Sequence, residues 1–338
     1  MVVRVFNDAW LAQVREAILD PELAICDPHH HLWWRPESKY LLDDLLNDTG
    51  SGHHITSTVF VECNSMYRAA SIESLAPVGE TEFVQGIAAM SASGGFGHTR
   101  VAKGIVSFAD LTLGQGVRET LKAHQQAGSA RFRGIRHAAG WHESEDIRNS
   151  HTDPPQGLML RDDFREGMSV LDEMGLTFDA WFYHHQLAEF ADLARTFPNV
   201  TMILDHFAGP LGIGPYKGHH DQVFNDWKQE VGALANCENV YFKLGGINMK
   251  LNGFEWHKRD KPPSSDELVD ATAPYYDYCL DLFGVDRCMF ESNFPVDKES
   301  CSYAVLWNAF KKMTTGKSAA ERQALFHDTA HRAYRLDE

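Results

Sequence analysis

Short β-rich runs alternate with helical patterns along almost the whole chain, and this alternation limits the fold more than any other feature. Eight runs read as strands: ELAICD (22–27), TSTVFVE (56–62), AKGIVSF (102–108), ARFRGIR (130–136), LTFDAWF (176–182), NVTMILD (199–205), NVYFKLG (239–245) and DRCMFES (286–292). Helical patterns separate most of them, such as LGQGVRETLKAHQQAG (113–128), RDDFREGMSVLDEMG (161–175) and HHQLAEFADLARTFP (184–198). Strand then helix, repeated, builds a parallel sheet covered by helices. The runs are nearly continuous in apolar residues, as strands buried on both faces must be. Eight of them predict closure into a (β/α)8 TIM barrel, a fold that takes 338 residues as one domain. We read 1–338 as that single domain, with the barrel proper at about 22–336. An open doubly wound sheet is the rival, but no G-x-G-x-x-G turn follows the first run. Ahead of that run, Trp10, Leu11, Val14 and Ile18 recur at helical spacing and predict an amphipathic helix over 6–19 that caps the barrel.

The formal net charge of -16 repels phosphate backbones and anionic membrane surfaces, so the expected partner is a small molecule, not a nucleic acid or a membrane. No segment approaches the roughly 20 apolar residues of a membrane span. The N-terminal segment lacks the apolar run of a secretory leader. Six cysteines (26, 63, 237, 279, 288 and 301) show no paired spacing and read as reduced thiols. A cytoplasmic protein is expected, and assembly into a homo-oligomer stays open.

Three stretches break the alternation: 138–157, 209–221 and 247–265, each polar, rich in Gly, Pro, His and Trp, and each directly after a strand. Long loops of this kind often serve as lids, and the strand-to-helix side is where such barrels hold their active sites. Polar residues gather at the same strand ends. ICDPHHH presents His29 and His31 on one face, with His30 turned away, about 6.6 Å of strand rise separating the pair. That spacing lets two imidazoles converge on one borderline ion such as zinc, with Asp27 orienting the site. Other ends deliver Arg136 and His137, His184 and His185, Asp205 and His206, and Glu291, Asn293 and Asp297. Glu62 and Asp179 are candidate supporting carboxylates, and Lys243 either meets an anionic substrate or pairs with Asp205 or Glu291. Trp33, Trp34, Trp141 and Trp256 are candidate walls for a ring-shaped substrate.

In order along the chain, DPHHH (27–31), GIRH (134–137), LDHFAGP (204–210) and SNFPV (292–296) resemble the motifs of the amidohydrolase superfamily. They look most like its branch of fuconolactonase-like and pyrone-dicarboxylate lactonase-like enzymes. The resemblance implies that His29 and His31 are the first-strand metal or substrate-polarising pair and that His206 is the sixth-strand histidine. It also implies that Arg136 holds a substrate carboxylate or hydroxyl, and that His184 is a fifth-strand ligand candidate. The implied cofactor is a divalent metal, zinc or manganese, held by His29, His31 and His206; some lactonases of the branch work without one. One departure stands out. The eighth-strand aspartate that activates water in many members is Asn293 here, and an amide cannot accept a proton. Glu291, Asp297 or His206 is left to supply the base.

The expectation is therefore a lactonase-like hydrolase. His29, His31, His206, Asn293 and Glu291 are its catalytic candidates, and Arg136, His137, His184 and Trp141 its substrate contacts. A metal-dependent decarboxylase of an aromatic acid and a non-catalytic ligand-binding barrel are the alternatives.

Overall fold

The computed structural model describes residues 6–69 and 72–337. Residues 1–5, where the segment read for a leader begins, lie outside the described residues. Eight parallel strands run in the order β1 (Ala24–His30), β4 (His54–Val61), β5 (Arg100–Ser107), β6 (Phe132–Arg136), β7 (Thr177–Ala180), β8 (Met202–Leu204), β9 (Val240–Leu244) and β10 (Cys288–Phe290). They correspond one for one to the eight β-rich runs. Two further strands, β2 (Trp33–Arg35) and β3 (Ser38–Tyr40), form an antiparallel hairpin just beyond β1. The main helices around the barrel are α3 (Val78–Ala92), α4 (Val117–Gly128), α5 (Asp162–Met174), α6 (Leu187–Thr196), α7 (His220–Gly232), α8 (Ser265–Phe283) and α9 (Tyr303–Met313). The fold is a (β/α)8 barrel.

Side chains close the circle where the first and last strands meet. Asp27 accepts hydrogen bonds from Ser292 N (2.9 Å) and Oγ (2.6 Å), and from the Tyr303 hydroxyl (2.8 Å). The His31 amide donates to Phe294 O at 2.8 Å, and His30 and Phe294 form a parallel bridge. Asp27 therefore fastens the barrel instead of orienting a histidine ring. His30 turns away from its neighbours, as the alternation predicts, and its Nε2 meets Thr58 Oγ1 at 2.8 Å.

Two apolar layers hold the barrel. The larger lies between strands and helices, with Phe164, Phe178, Phe190, Trp227 and Phe310 fully buried. The smaller joins Cys26, Val59, Val106, Ile203 and Met289 to Ala330 and Tyr334 of the C-terminal helix α11 (Thr329–Tyr334). Strand residues drawn from opposite sides of the circle can meet only in its interior, so this layer fills the barrel below the site.

The N-terminal helix is shorter than expected: α1 covers only Asp8–Leu11 instead of 6–19. Tertiary hydrogen bonds replace helical ones downstream. The Glu16 carboxylate accepts from Ser265 N and Asn308 Nδ2, and the Leu19 amide donates to Asn308 Oδ1. All six cysteines are free. Among the described residues no helix is long and apolar enough to cross a membrane.

Candidate active site

The strand ends bring together His29, His206 and Glu291, whose candidate ligand atoms all lie within 4.8 Å of one another. His29 comes from β1, His206 from just past β8, and Glu291 from the residue after β10. The backbone bends sharply to deliver His206: His206, Phe207 and Ala208 have φ of 52°, 56° and 57°, in the left-handed region that costs non-glycine residues about 1 kcal/mol or more each. Packing holds the bend. Phe207 is fully buried, and its carbonyl accepts from Trp227 Nε1 at 2.7 Å. Gly246, itself at φ 66°, lies so close to the His206 ring that a Cβ there would overlap Nδ1.

His206 Nδ1 lies 2.5 Å from Glu291 Oε1. Burial alone would raise the Glu291 carboxyl, but the His206 and His29 imidazoles beside it bring it down to about 2. An ionised carboxylate only accepts, so the His206 Nδ1 that faces it carries a proton. His31 is fixed similarly: Nδ1 donates to the Val61 carbonyl at 2.8 Å, and burial with nearby Arg136 holds the ring neutral.

His29 sits between two cations. Lys243 Nζ is 3.1 Å from its Nδ1, and Arg136 Nη1 is 3.3 Å from its Nε2. Burial, then the Lys243 ammonium, keep it well below the usual imidazole range. A neutral imidazole has one lone pair, so only one of these cations is hydrogen-bonded to the ring at a time. Both cations are answered by carboxylates. Lys243 donates to Asp179 (2.7 Å) and lies 3.1 Å from Asp205; Arg136 donates to Glu62 Oε1 (2.8 Å), Glu62 O (2.6 Å) and Asp205 Oδ2 (3.2 Å). Burial raises the Asp179 carboxyl to about 6, whereas Glu62, despite burial, is drawn down to about 2 by His151 and Arg136.

Above this network opens a cavity of about 440 Å³. His31, Arg136, His206 and Asn293 reach its wall, and all three long loops contribute: Arg148 and His151 from the first, Ile213 from the second, Met249 and Leu251 from the third. Several expected residues are elsewhere. His137 Nδ1 accepts from the Leu111 amide and His184 Nδ1 from the Leu211 amide, so both brace loops and neither reaches the cavity wall. Trp141 also stays off the wall, its backbone tied to Gln186 and His185. Trp256 is core, and Trp34 is 64% exposed. Trp33 does line the cavity, joined by Trp181. Arg136 spends most of its donors on Glu62 and Asp205 and so has little left for a substrate. Asn293 gives its Nδ2 to Asp297.

Sequence reasoning missed Arg35, Arg148, His151, Trp181 and Tyr183. His151 reaches in from its loop to Glu62, with Nε2 2.9 Å from Oε2. Its one signal was membership of the first long loop.

Two imidazoles and a carboxylate are a donor set found at catalytic zinc. Glu291 Oε2 is buried without an aligned hydrogen bond, although His29 Nδ1 stands 2.9 Å away. The charge also suits a dication: apart from histidines, Glu62, Asp179, Asp205 and Glu291 pair with Arg136 and Lys243, leaving two negative charges when all four acids are ionised and the histidines are neutral. His31, which the sequence reading had placed as a ligand, is not one of this trio; its Nδ1 donates to Val61, which leaves Nε2 as its nitrogen for an ion.

Histidines and buried carboxylates at the carboxyl ends of a parallel barrel place the molecule in the class of barrel enzymes. The amidohydrolase family model matches residues 26–336, and the chain belongs to that family. It is 34% identical over 329 residues to the uncharacterized protein y4mH of Sinorhizobium fredii, covering 93% of this chain and 99% of that one. It is 27% identical over 177 residues to L-fucono-1,5-lactonase of Burkholderia multivorans, covering 52% of this chain and 57% of the lactonase. A zinc-bound amidohydrolase structure from Burkholderia multivorans superposes with a TM-score of 0.71 at 23% identity, covering 93% of this chain and 99% of that one. The last likeness concerns the fold.

Proposed function

We propose that the chain hydrolyses the ester bond of a small lactone. The observation that carries this reading is the His206–Glu291 pair: Glu291 holds the Nδ1 proton, which leaves Nε2 as the nitrogen to act as base, on a ring that lines the cavity. Nε2 takes a proton from water as the water attacks the lactone carbonyl. Glu291 stabilises the imidazolium that forms, and the Arg136 guanidinium on the same wall favours the negative charge developing on the carbonyl oxygen. The imidazolium returns its proton to the departing alkoxide, and the ring opens to a hydroxy acid. His29, His206 and Glu291 would hold a divalent ion; it would occupy the His206 lone pair, so with an ion bound Lewis-acid polarisation of the carbonyl would stand in for the histidine base. The lactonase-named relative supports the substrate class.

The test is a panel of γ- and δ-lactones followed by proton release and by NMR of the ring-opened acid, with and without added zinc or manganese. Ring opening that His206→Ala removes is expected. No ring opening with any member of the panel under either condition would defeat the reading.

A further inference from the structure

The cavity wall is unbalanced in charge. It carries Arg35, Arg136 and Arg148 and, among the described residues, no aspartate or glutamate. Yet acidic residues outnumber Lys and Arg by 47 to 31 in the chain. The carboxylates that answer Arg136 lie behind it, fully buried. Among the described residues Arg35 and Arg148 have no such answer. Arg35 lies over the Trp33 ring, 4.8 Å from its centroid, and donates Nη2 to the Cys63 carbonyl at 2.5 Å, while its buried Nε has no hydrogen-bond partner. Arg148 enters no salt bridge among the described residues. Its loop is pinned by the Tyr183 hydroxyl, which donates to the Arg148 carbonyl.

A guanidinium presents a planar fork that grips a carboxylate with two parallel hydrogen bonds, and two such groups without protein counter-ions leave a cavity that favours a negative guest. Apolar Trp33, Trp181 and Leu251 share the wall and suit the body of a small ring. We propose that Arg35 and Arg148 select the substrate by binding a carboxylate it carries, so that the enzyme acts on anionic rather than neutral lactones. The second half of this proposal rests on the ester-hydrolase reading; the anion site itself does not. Neither arginine was a candidate from the sequence, and the arginine that was, Arg136, has its donors largely engaged.

The test uses the full chain and two probes, γ-butyrolactone-γ-carboxylate and its neutral methyl ester, with 2-hydroxyglutarate, the ring-opened acid, as a ligand that needs no turnover. Calorimetric titration is expected to show the acids binding about tenfold or more tighter than the ester. Arg35→Gln and Arg148→Gln should each remove most of that preference, Arg148→Lys should keep part of it, and ester binding should not change. Unchanged melting temperatures will show that the variants are folded; Arg148 is exposed and carries no structural ion pair. Equal binding of acid and ester, acid binding indifferent to both substitutions, or no acid binding by the unaltered protein would overturn the proposal. Arginine-dependent acid binding without ring opening of any lactone would sustain the anion site and remove the hydrolase reading. Equal turnover of acid and ester by every variant would sustain the hydrolase and remove the anion site.

Discussion

Glu291 and Asn293 are two residues apart at the end of the last barrel strand, yet their side chains serve different partners. Glu291 Oε1 accepts from His206 Nδ1 at 2.5 Å, whereas Asn293, turned by a φ of 54°, donates to Asp297 at 3.0 Å. The motif position that resembles an aspartate thus holds an amide, and the carboxylate in contact with the histidines comes from two residues earlier.

Removing that carboxylate should cost the reaction and not the binding. Glu291→Gln is expected to lower kcat by about 10²- to 10⁴-fold, with KM changed by less than about threefold. Asn293→Asp should not rescue it, and should lower stability by roughly 2 kcal/mol or more by setting two buried carboxylates against each other. Steady-state kinetics and urea unfolding check both halves; a restored kcat in the double variant would contradict them.

Arg136 matters to the fold as much as to the site. Arg136→Met leaves Glu62 and Asp205 buried without their cation, and breaking a buried pair in this way costs about 3–5 kcal/mol. Arg136→Lys should lose less, because an ammonium keeps the charge but not the fork. Chemical denaturation gives both values, and a Met variant as stable as the parent would show that the network is not holding these strand ends.

Stability should peak in mildly acidic solution. Burial raises Asp27 to about 6 and Glu80 to about 8, so both destabilise the fold when ionised, and lowering pH through those values relieves the cost. Glu62 works in the opposite sense. Held at about 2 by His151 and Arg136 against a usual 4.5, it contributes stability that is complete above 4.5 and is lost as pH falls through about 2. The buried neutral histidines His30, His53, His124, His137 and His184, all held below the usual imidazole range, cost stability as pH falls below about 6.5, and they outnumber Asp27 and Glu80. Melting temperatures across pH 3–9 are therefore expected to be highest near pH 6.5, within about one unit. A monotonic rise to pH 8 would contradict this.

Metal content separates two ligand sets. Elemental analysis of protein purified without chelator is expected to find about one equivalent of a divalent ion per chain. His206→Ala and Glu291→Gln should lose it, and His31→Ala should keep it. Loss in the His31 variant with retention in the Glu291 variant would restore His29, His31 and His206 as the set.

The strands were legible because burial on both faces leaves apolar runs that differ little from strand to strand. The β2–β3 hairpin was not, since three-residue strands carry too short a pattern to register. The 6–19 helix was overextended because periodicity in Trp10, Leu11, Val14 and Ile18 says nothing of the bonds Glu16 makes to Ser265 and Asn308. Within the site, strand-end positions such as His29, His206 and Glu291 could be found because the barrel dictates where they point. Arg35, Arg148 and His151 could not. They lie on the hairpin and a long loop, whose positions depend on distant contacts such as His151 with Glu62, 89 residues away in sequence.

The seam between the first and last strands joins groups 265 residues apart, Asp27 and Ser292. His29 lies two residues beyond one side of it and Glu291 one residue before the other. Neither half of the chain contains a site on its own, and contacts this distant form only after most loop closures are complete. Catalysis therefore becomes a late marker of assembly: a molecule whose seam has parted could keep its helices and most of its spectroscopic signature while being chemically silent, and activity should vanish ahead of secondary structure on mild denaturation.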